Sequence, residues 1–214
     1  ARTSRGLGDV YKRQLFLCCE SKVCYIVWEN MKKGLLLVAE PSICGDQNFH
    51  RSVVLIADDK EDSTLGFIFN KPMNYKLKDV LDGVRFNFKL YFGGPVEPDN
   101  LFYVHNCPDL IENSIPIQSG LYWGGNFSTV LTLINSKTIT SENIRFFLGY
   151  SGWDQGQLSK EVAANSWVII PNAHENNLIA KVKKDFWRKQ MVALGGKYIL
   201  LSLIHISEPT RRTI

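Results

Sequence analysis

The 214-residue sequence has no apolar run approaching the roughly 20 residues that a membrane-spanning helix needs, so no stretch of it reads as a membrane helix and no membrane partner is expected. Cysteine is scarce: of the five, Cys18, Cys19 and Cys24 crowd the first thirty positions, and only Cys44 and Cys107 lie beyond them. Two isolated thiols make neither a disulfide framework nor a Cys-x-x-Cys pair, and they fit the reducing cytoplasm. No Gly-x-x-x-x-Gly-Lys-Ser/Thr loop occurs, since Gly195-Gly196-Lys197 lacks the first glycine at its distance, so a nucleotide phosphate chain has no loop of that type. Repeats of solenoid period and low-complexity linkers are absent too. The expected cofactor complement is none.

An excess of charge is also lacking once the two ends are explained. Gly8 to Gln14, back-translated as GGA GAT GTG TAT AAG AGA CAG, has a reverse complement that encodes Leu201 to Ser207. The match extends outward, Ser4–Leu7 giving Glu208–Arg211 on the opposite strand. Two ends encoded by one inverted DNA sequence resemble a transposase-type library adapter read as protein. Residues 1–14 and 201–214 are therefore expected to be non-native and are set aside, as a processing scar would be. On the same reading, 15–30 is a non-native or disordered leader, Met31 the start, and a native tail is missing after Leu200. A signal peptide is disfavoured because Glu20, Lys22 and Glu29 interrupt any apolar core. The ends hold six of the 25 Lys and Arg and two of the 21 Asp and Glu, which leaves 19 of each sign in the body. A neutral body carries no electrostatic footprint for nucleic acid, which argues against direct nucleic-acid binding. Residues 31–200 suffice for one domain with a core.

The stretch 144–170 is the most informative. Ile144 to Trp153 alternates and is rich in aromatic side chains, which predicts a strand. Gly149 and Gly152 then bracket a tight loop, Asp154 caps a helix with Gln157 completing a capping box, and Leu158 and Val162 share the helix's apolar face. Ser166–Ile170 is the returning strand, a crossover expected to be parallel and right-handed. Upstream, strands are predicted over Gly34–Ala39, Phe49–Ala57, Leu65–Asn70, Leu90–Phe92 and Leu101–His105. Short edge segments fall at 115–117 and 121–123, and helices at Leu77–Leu81 and Phe127–Ile134. Downstream, Leu178–Val182 and Asp185–Leu194 read as helices and Lys197–Leu200 as the start of a last strand. Hairpins in the first half and one crossover in the second predict an α+β fold: a mixed, partly closed β-sheet surrounded by helices, with one right-handed strand–helix–strand crossover.

Five ordered phrases resemble one family. They are Phe-His-Arg-Ser-Val-Val-Leu (49–55), Gly-Phe-Ile-Phe-Asn-Lys-Pro (66–72), Tyr-Phe-Gly-Gly-Pro-Val (91–96), Gly-Leu-Tyr-Trp-Gly-Gly-Asn (120–126) and the aromatic stretch 145–167. Together they are similar to the bacterial AlgH/YqgE family over about Lys33 to Lys197. Ser151 stands where alanine is commoner there, a mild departure. The resemblance implies a single-domain α+β fold with a branched, partly closed sheet, a cytosolic bacterial protein, and a transcriptional-regulator label without an agreed reaction.

The best polar and aromatic set is Arg51, Asn70, Tyr150, Trp153, Gln157 and Glu161, joined by Ser52 and by Gly93 and Gly94, whose backbones admit close approach. The functional reading is a small anion-accepting pocket at the loop 150–157. The plainer reading is structural: Arg51 pairing Glu161 or a carbonyl, Gln157 capping, Trp153 and Trp167 packing core. No complete catalytic set is visible. Cys44, His50, His105 and Cys107 lack zinc spacing, and Gly149-Tyr150-Ser151-Gly152 brings its second glycine one residue early for a nucleophile elbow. The expectation is a non-enzymatic regulatory or interaction protein with a protein or small-molecule partner; the alternatives are an enzyme for a small phosphorylated or carboxylated metabolite, and a redox role for Cys44 and Cys107.

Overall fold

The computed structural model describes residues 33–199 except 42, 44, 45 and 197. The expected non-native ends, the leader and Cys44 lie outside the described residues. Within them, ten strands and five α-helices form an α+β fold with one branched sheet. The strands are β1 (Leu36–Ala39), β2 (Val53–Asp59), β3 (Ser63–Ile68), β4 (Pro72–Lys76), β5 (Lys89–Phe92), β6 (Val96–His105), β7 (Ile115–Pro116), β8 (Tyr122–Trp123), β9 (Ile144–Asp154) and β10 (Trp167–Ile170). The helices are α1 (Leu77–Val80), α2 (Phe127–Asn135), α3 (Gln157–Ala163), α4 (Leu178–Lys181) and α5 (Phe186–Leu194).

The ladder runs β10-β1-β2-β3-β9-β6-β8-β7 and is mostly open, with β10 and β7 at its two ends. The fork is at β9. Its first half pairs in parallel with β5 (Leu90↔Phe146 to Phe92↔Leu148) and its last four residues pair antiparallel with β3. Antiparallel β6 covers the other edge, Leu101↔Leu148 to His105↔Ile144. β9 and β10 point the same way, because four antiparallel steps separate them. They are not neighbours, since β3, β2 and β1 lie between.

Alternation along β9 sends Phe146 to one core and Phe147 to the other. The first core gathers Val38, Leu55, Phe67 and Phe147 against α4 and α5 through Leu178, Phe186 and Trp187. The second gathers Leu90, Tyr103 and Phe146 against Val130 and Ile134 of α2. Asn126 caps α2, its side-chain oxygen accepting from the N–H groups of Ser128 and Thr129.

The tight loop expected between Gly149 and Gly152 is not there; β9 runs straight through both. Gly149 takes φ +69, and that one left-handed residue shifts the alternation, so that Phe147 and Tyr150, three apart, both pack on the first core. The true bend comes later. Gly156, at φ +71, is the N-cap of α3 without a side-chain cap. Asp154 does not cap; half of the expected box survives, with Gln157 Oε1 accepting from the Asp154 N–H at 3.1 Å. Three further expectations change. Phe49–Arg51 form a turn rather than strand, because Asp46 Oδ1 accepts from the N–H groups of Asn48 and Phe49 and Arg51 is left-handed at φ +53. The strand predicted over Leu65–Asn70 ends at Ile68, and Pro72 opens β4, an exposed strand where a proline is tolerated. Tyr198 and Ile199 are helical, with their N–H groups donating to Gly195 and Gly196, rather than the start of a strand.

Gly94, at φ +155, passes so close to β9 that a Cβ there would stand 2.2 Å from the Tyr150 carbonyl oxygen, and one at Gly93 would stand 2.1 Å from that of Gly149. Gly94→Ala is expected to cost about 2 kcal/mol or more, read as a fall in urea midpoint with unchanged slope; a neutral result would mean that β9 can give way at the fork.

Candidate functional site

The sequence-derived residues fall into three groups. Arg51, Ser52 and Asn70 meet at the turn that enters β2. Asn70 is a clamp: its Oδ1 accepts from the Val53 N–H at 2.7 Å and its Nδ2 donates to the Arg51 carbonyl at 2.8 Å. Ser52 is fully buried, with Oγ donating to the Phe49 carbonyl at 2.8 Å. The Arg51 guanidinium carbon lies 5.8 Å from the centre of the Trp187 ring, and Trp187 is itself fixed by Nε1 donating to the Ala39 carbonyl at 2.7 Å. Lys71 joins this turn, its ammonium donating to the Asn48 carbonyl at 2.6 Å. Burial lowers its pKa, and Asp46 works in the opposite sense.

Trp153, Gln157 and Glu161 form the second group around α3. Glu161 Oε2 accepts from both indoles, Trp153 Nε1 at 2.9 Å and Trp167 Nε1 at 2.8 Å, while Oε1 accepts from Gln157 Nε2 at 2.9 Å. Phe49 stacks on Trp153 at 6.0 Å and meets Trp167 edge-on at 5.3 Å, which links this group to the first turn. The expected carboxylate partner of Arg51 is thus occupied by tryptophan donors. The third group stands apart in the middle of the sheet. Gly93 and Gly94 cross β9 beside Tyr150, and Ser151 Oγ donates to the Gly93 carbonyl at 3.0 Å. Ser151 is fully buried, so it is no exposed nucleophile.

Of two further buried groups, Arg145 escaped the sequence reading, and His105 figures there only as a residue without zinc-ligand spacing. Arg145 points to the first core, donating through Nη1 to the Phe69 carbonyl at 2.6 Å and through Nη2 to those of Ile179 and Val182 at the end of α4. Its guanidinium lies 4.3 Å from the centre of the Tyr91 ring, and burial brings its pKa down to about 10. An arginine at an inward position of an alternating apolar strand was the available signal. The other is His105. Its Nδ1 accepts from the Cys107 N–H at 3.2 Å, so Nε2 carries the proton and faces the Gly124 carbonyl at 3.2 Å and Ser114 Oγ at 3.0 Å. Ser114 gives its own proton to the Ile111 carbonyl at 2.6 Å. The pair is therefore no base–nucleophile dyad. Burial raises the Cys107 thiol pKa, which opposes a reactive thiolate. Among the described residues no three His, Cys, Asp or Glu side chains gather as metal ligands.

Two outcomes follow. Glu161→Gln replaces an acceptor oxygen by an amide that faces the Gln157 donor, so it should cost about 1–2 kcal/mol in urea unfolding followed by indole fluorescence; an unchanged midpoint would mean that the indole bonds contribute nothing. For His105, burial lowers the pKa from 6.5 to about 4. The unfolded chain binds the extra proton, so the stability is complete above pH 6.5 and declines as pH falls from there through 4, by ~3 kcal/mol in all. His105→Gln should flatten that slope in denaturation curves collected between those limits.

Residues 36–199 match the family model described as AlgH-like. A UPF0301 protein of Cytophaga hutchinsonii is 37% identical over 174 residues, which is 80% of this chain and 94% of that protein. One from Bacteroides thetaiotaomicron is 39% identical over 169 residues, 78% of this chain and 84% of the relative. Two solved structures share the fold. The crystal structure of protein DIP2367 from Corynebacterium diphtheriae superposes with a TM-score of 0.64 at 23% identity, over 80% of this chain and 91% of that one. The solution structure of the AlgH protein from Pseudomonas aeruginosa gives 0.62 at 22%, over 90% and 99%.

Proposed function

We propose that this chain, which belongs to the AlgH-like family, works by binding rather than by catalysis, as a cytoplasmic regulatory or interaction protein that receives a small anion beside Arg51. The observation that carries the reading is where the hydrogen-bonding capacity goes. Glu161, Ser151 and His105, the groups suited to proton or acyl chemistry, spend theirs on the protein's own indoles, carbonyls and amides. Arg51 lies in the turn 46–52, and the Lys71 ammonium reaches the same turn by donating to the Asn48 carbonyl, with Asp46 as the local counter-charge. A guanidinium fork with an ammonium nearby is the donor set that a phosphate or carboxylate needs. The regulatory label then belongs to what the bound anion reports, and not to direct contact with nucleic acid, which the balanced charge of residues 15–200 disfavours.

A thermal-shift screen of inorganic phosphate, nucleotides and small carboxylates tests this. A ligand at a hundred times its Kd should stabilise the protein by about 2.7 kcal/mol, and Arg51→Ala should lose most of that while keeping its own fold. Equal stabilisation of both proteins, or steady turnover of any compound in the screen, would contradict the reading.

A further inference from the structure

The branched sheet ends in strands that differ in how they meet solvent. β4 opens with Pro72, and its Lys76 N–H is already taken by Asp79 Oδ2 at 2.8 Å. β7 has only two residues, the second being Pro116. Both are blunted in the ways that keep another strand from adding. β10 has no such device. It reads Trp-Val-Ile-Ile, its last three side chains are half-buried, and among the described strands it pairs with β1 alone. From Val162 to His174 the chain contains no Asp, Glu, Lys or Arg.

Register decides which backbone groups of β10 are left over. Leu36↔Ile170 to Ala39↔Trp167 stand opposite each other, and one step on, the Glu40 N–H donates to the Ser166 carbonyl at 3.0 Å. Hydrogen-bonded and non-hydrogen-bonded pairs alternate along an antiparallel ladder. Ser166, Val168 and Ile170 therefore bond towards β1, while Trp167 and Ile169 turn their N–H and C=O groups outward, where no described residue meets them. The free row stops at both ends. The Asn165 N–H is taken by the Val162 carbonyl at 2.9 Å; Pro171 has no N–H, and its carbonyl accepts from the Ala173 N–H at 3.1 Å. This pattern is its own complement. A second copy turned about a two-fold axis at Val168 sets Trp167 of each copy opposite Ile169 of the other, and every outward group finds a partner. Asn165 then falls opposite Pro171, so the spent ends face each other. The two valines meet at the axis as a non-hydrogen-bonded pair, where side chains come closest, and the uncharged stretch 162–174 brings no like charges together. We propose that β10 is a homodimer interface, through which two copies join antiparallel about Val168 and make one sheet continuous across both. The match of blocked ends singles out a second copy over an extended segment of another protein. A contact this small makes the dimer a reversible one. It does not depend on Arg51.

Sedimentation velocity of the full chain, from micromolar to millimolar concentration, tests this, with circular dichroism to show that each variant is folded. The parent should pass reversibly from monomer to dimer. Ile169→Pro removes one outward N–H from each copy at an edge position that tolerates proline, and it should weaken association about tenfold or more. Val168→Lys and Val168→Glu each put like charges at the axis, so each alone should stay monomeric. An equimolar mixture of the two should dimerise, because the axis then joins opposite charges. That rescue separates loss of the interface from loss of the fold. The proposal is overturned if the parent stays monomeric throughout, if folded Ile169→Pro associates as the parent does, or if the mixture associates no more than either charged variant alone.

Discussion

The close passage of two backbones at the fork of β9 is the constraint from which the rest of the arrangement follows. Gly93 and Gly94 lie against Gly149 and Tyr150 at separations that leave no room for a Cβ. This contact lets β5 hand over to β3 along one edge of β9, with the Ile68 N–H donating to the Gly93 carbonyl at 2.9 Å and the Gly93 N–H to that of Leu148 at 2.8 Å. Because Gly149 also shifts the alternation, the same point sends Tyr150 to the first core and fixes Ser151 on Gly93. The end of β9 then delivers Trp153 to Glu161.

Several residues that look chemical in sequence tie elements together in three dimensions. Asn70 ties the turn 51–53, Glu161 ties Trp153, Trp167 and α3, and Arg145 ties α4 to the sheet through three carbonyls. The Arg145 charge has no carboxylate among these contacts. Carbonyl dipoles and the faces of Tyr91 and Phe69 hold it instead.

The fold class and most elements were legible in the sequence because their signals are local. Apolar runs located β1, β2, β3 and β5, and even the two-residue strands β7 and β8 were visible as apolar pairs between turns. The errors share a cause. Gly149 and Gly152 carry the composition of a loop, yet in this fold glycine marks close approach and a bulge, and only the partner strands distinguish the two. Pro72 has the signature of a break, but a strand with an open edge accepts it. Of the candidate site, the shared helix face of Gln157 and Glu161 was readable from their spacing. That Glu161 would serve two indoles rather than Arg51 was not, because this depends on Trp167 returning from β10. The tautomer of His105 was not legible in the sequence, since it is set by the Cys107 amide and the Gly124 carbonyl.

Amide hydrogen exchange across β9 addresses the fork most directly. If the strand is continuous and held on both edges, the amides from Phe146 through Ser151 exchange together and only through global unfolding. If Gly149 instead begins a loop, Tyr150 to Asp154 will exchange orders of magnitude faster than Phe146 to Leu148, and β9 cannot be the strand on which the two cores join.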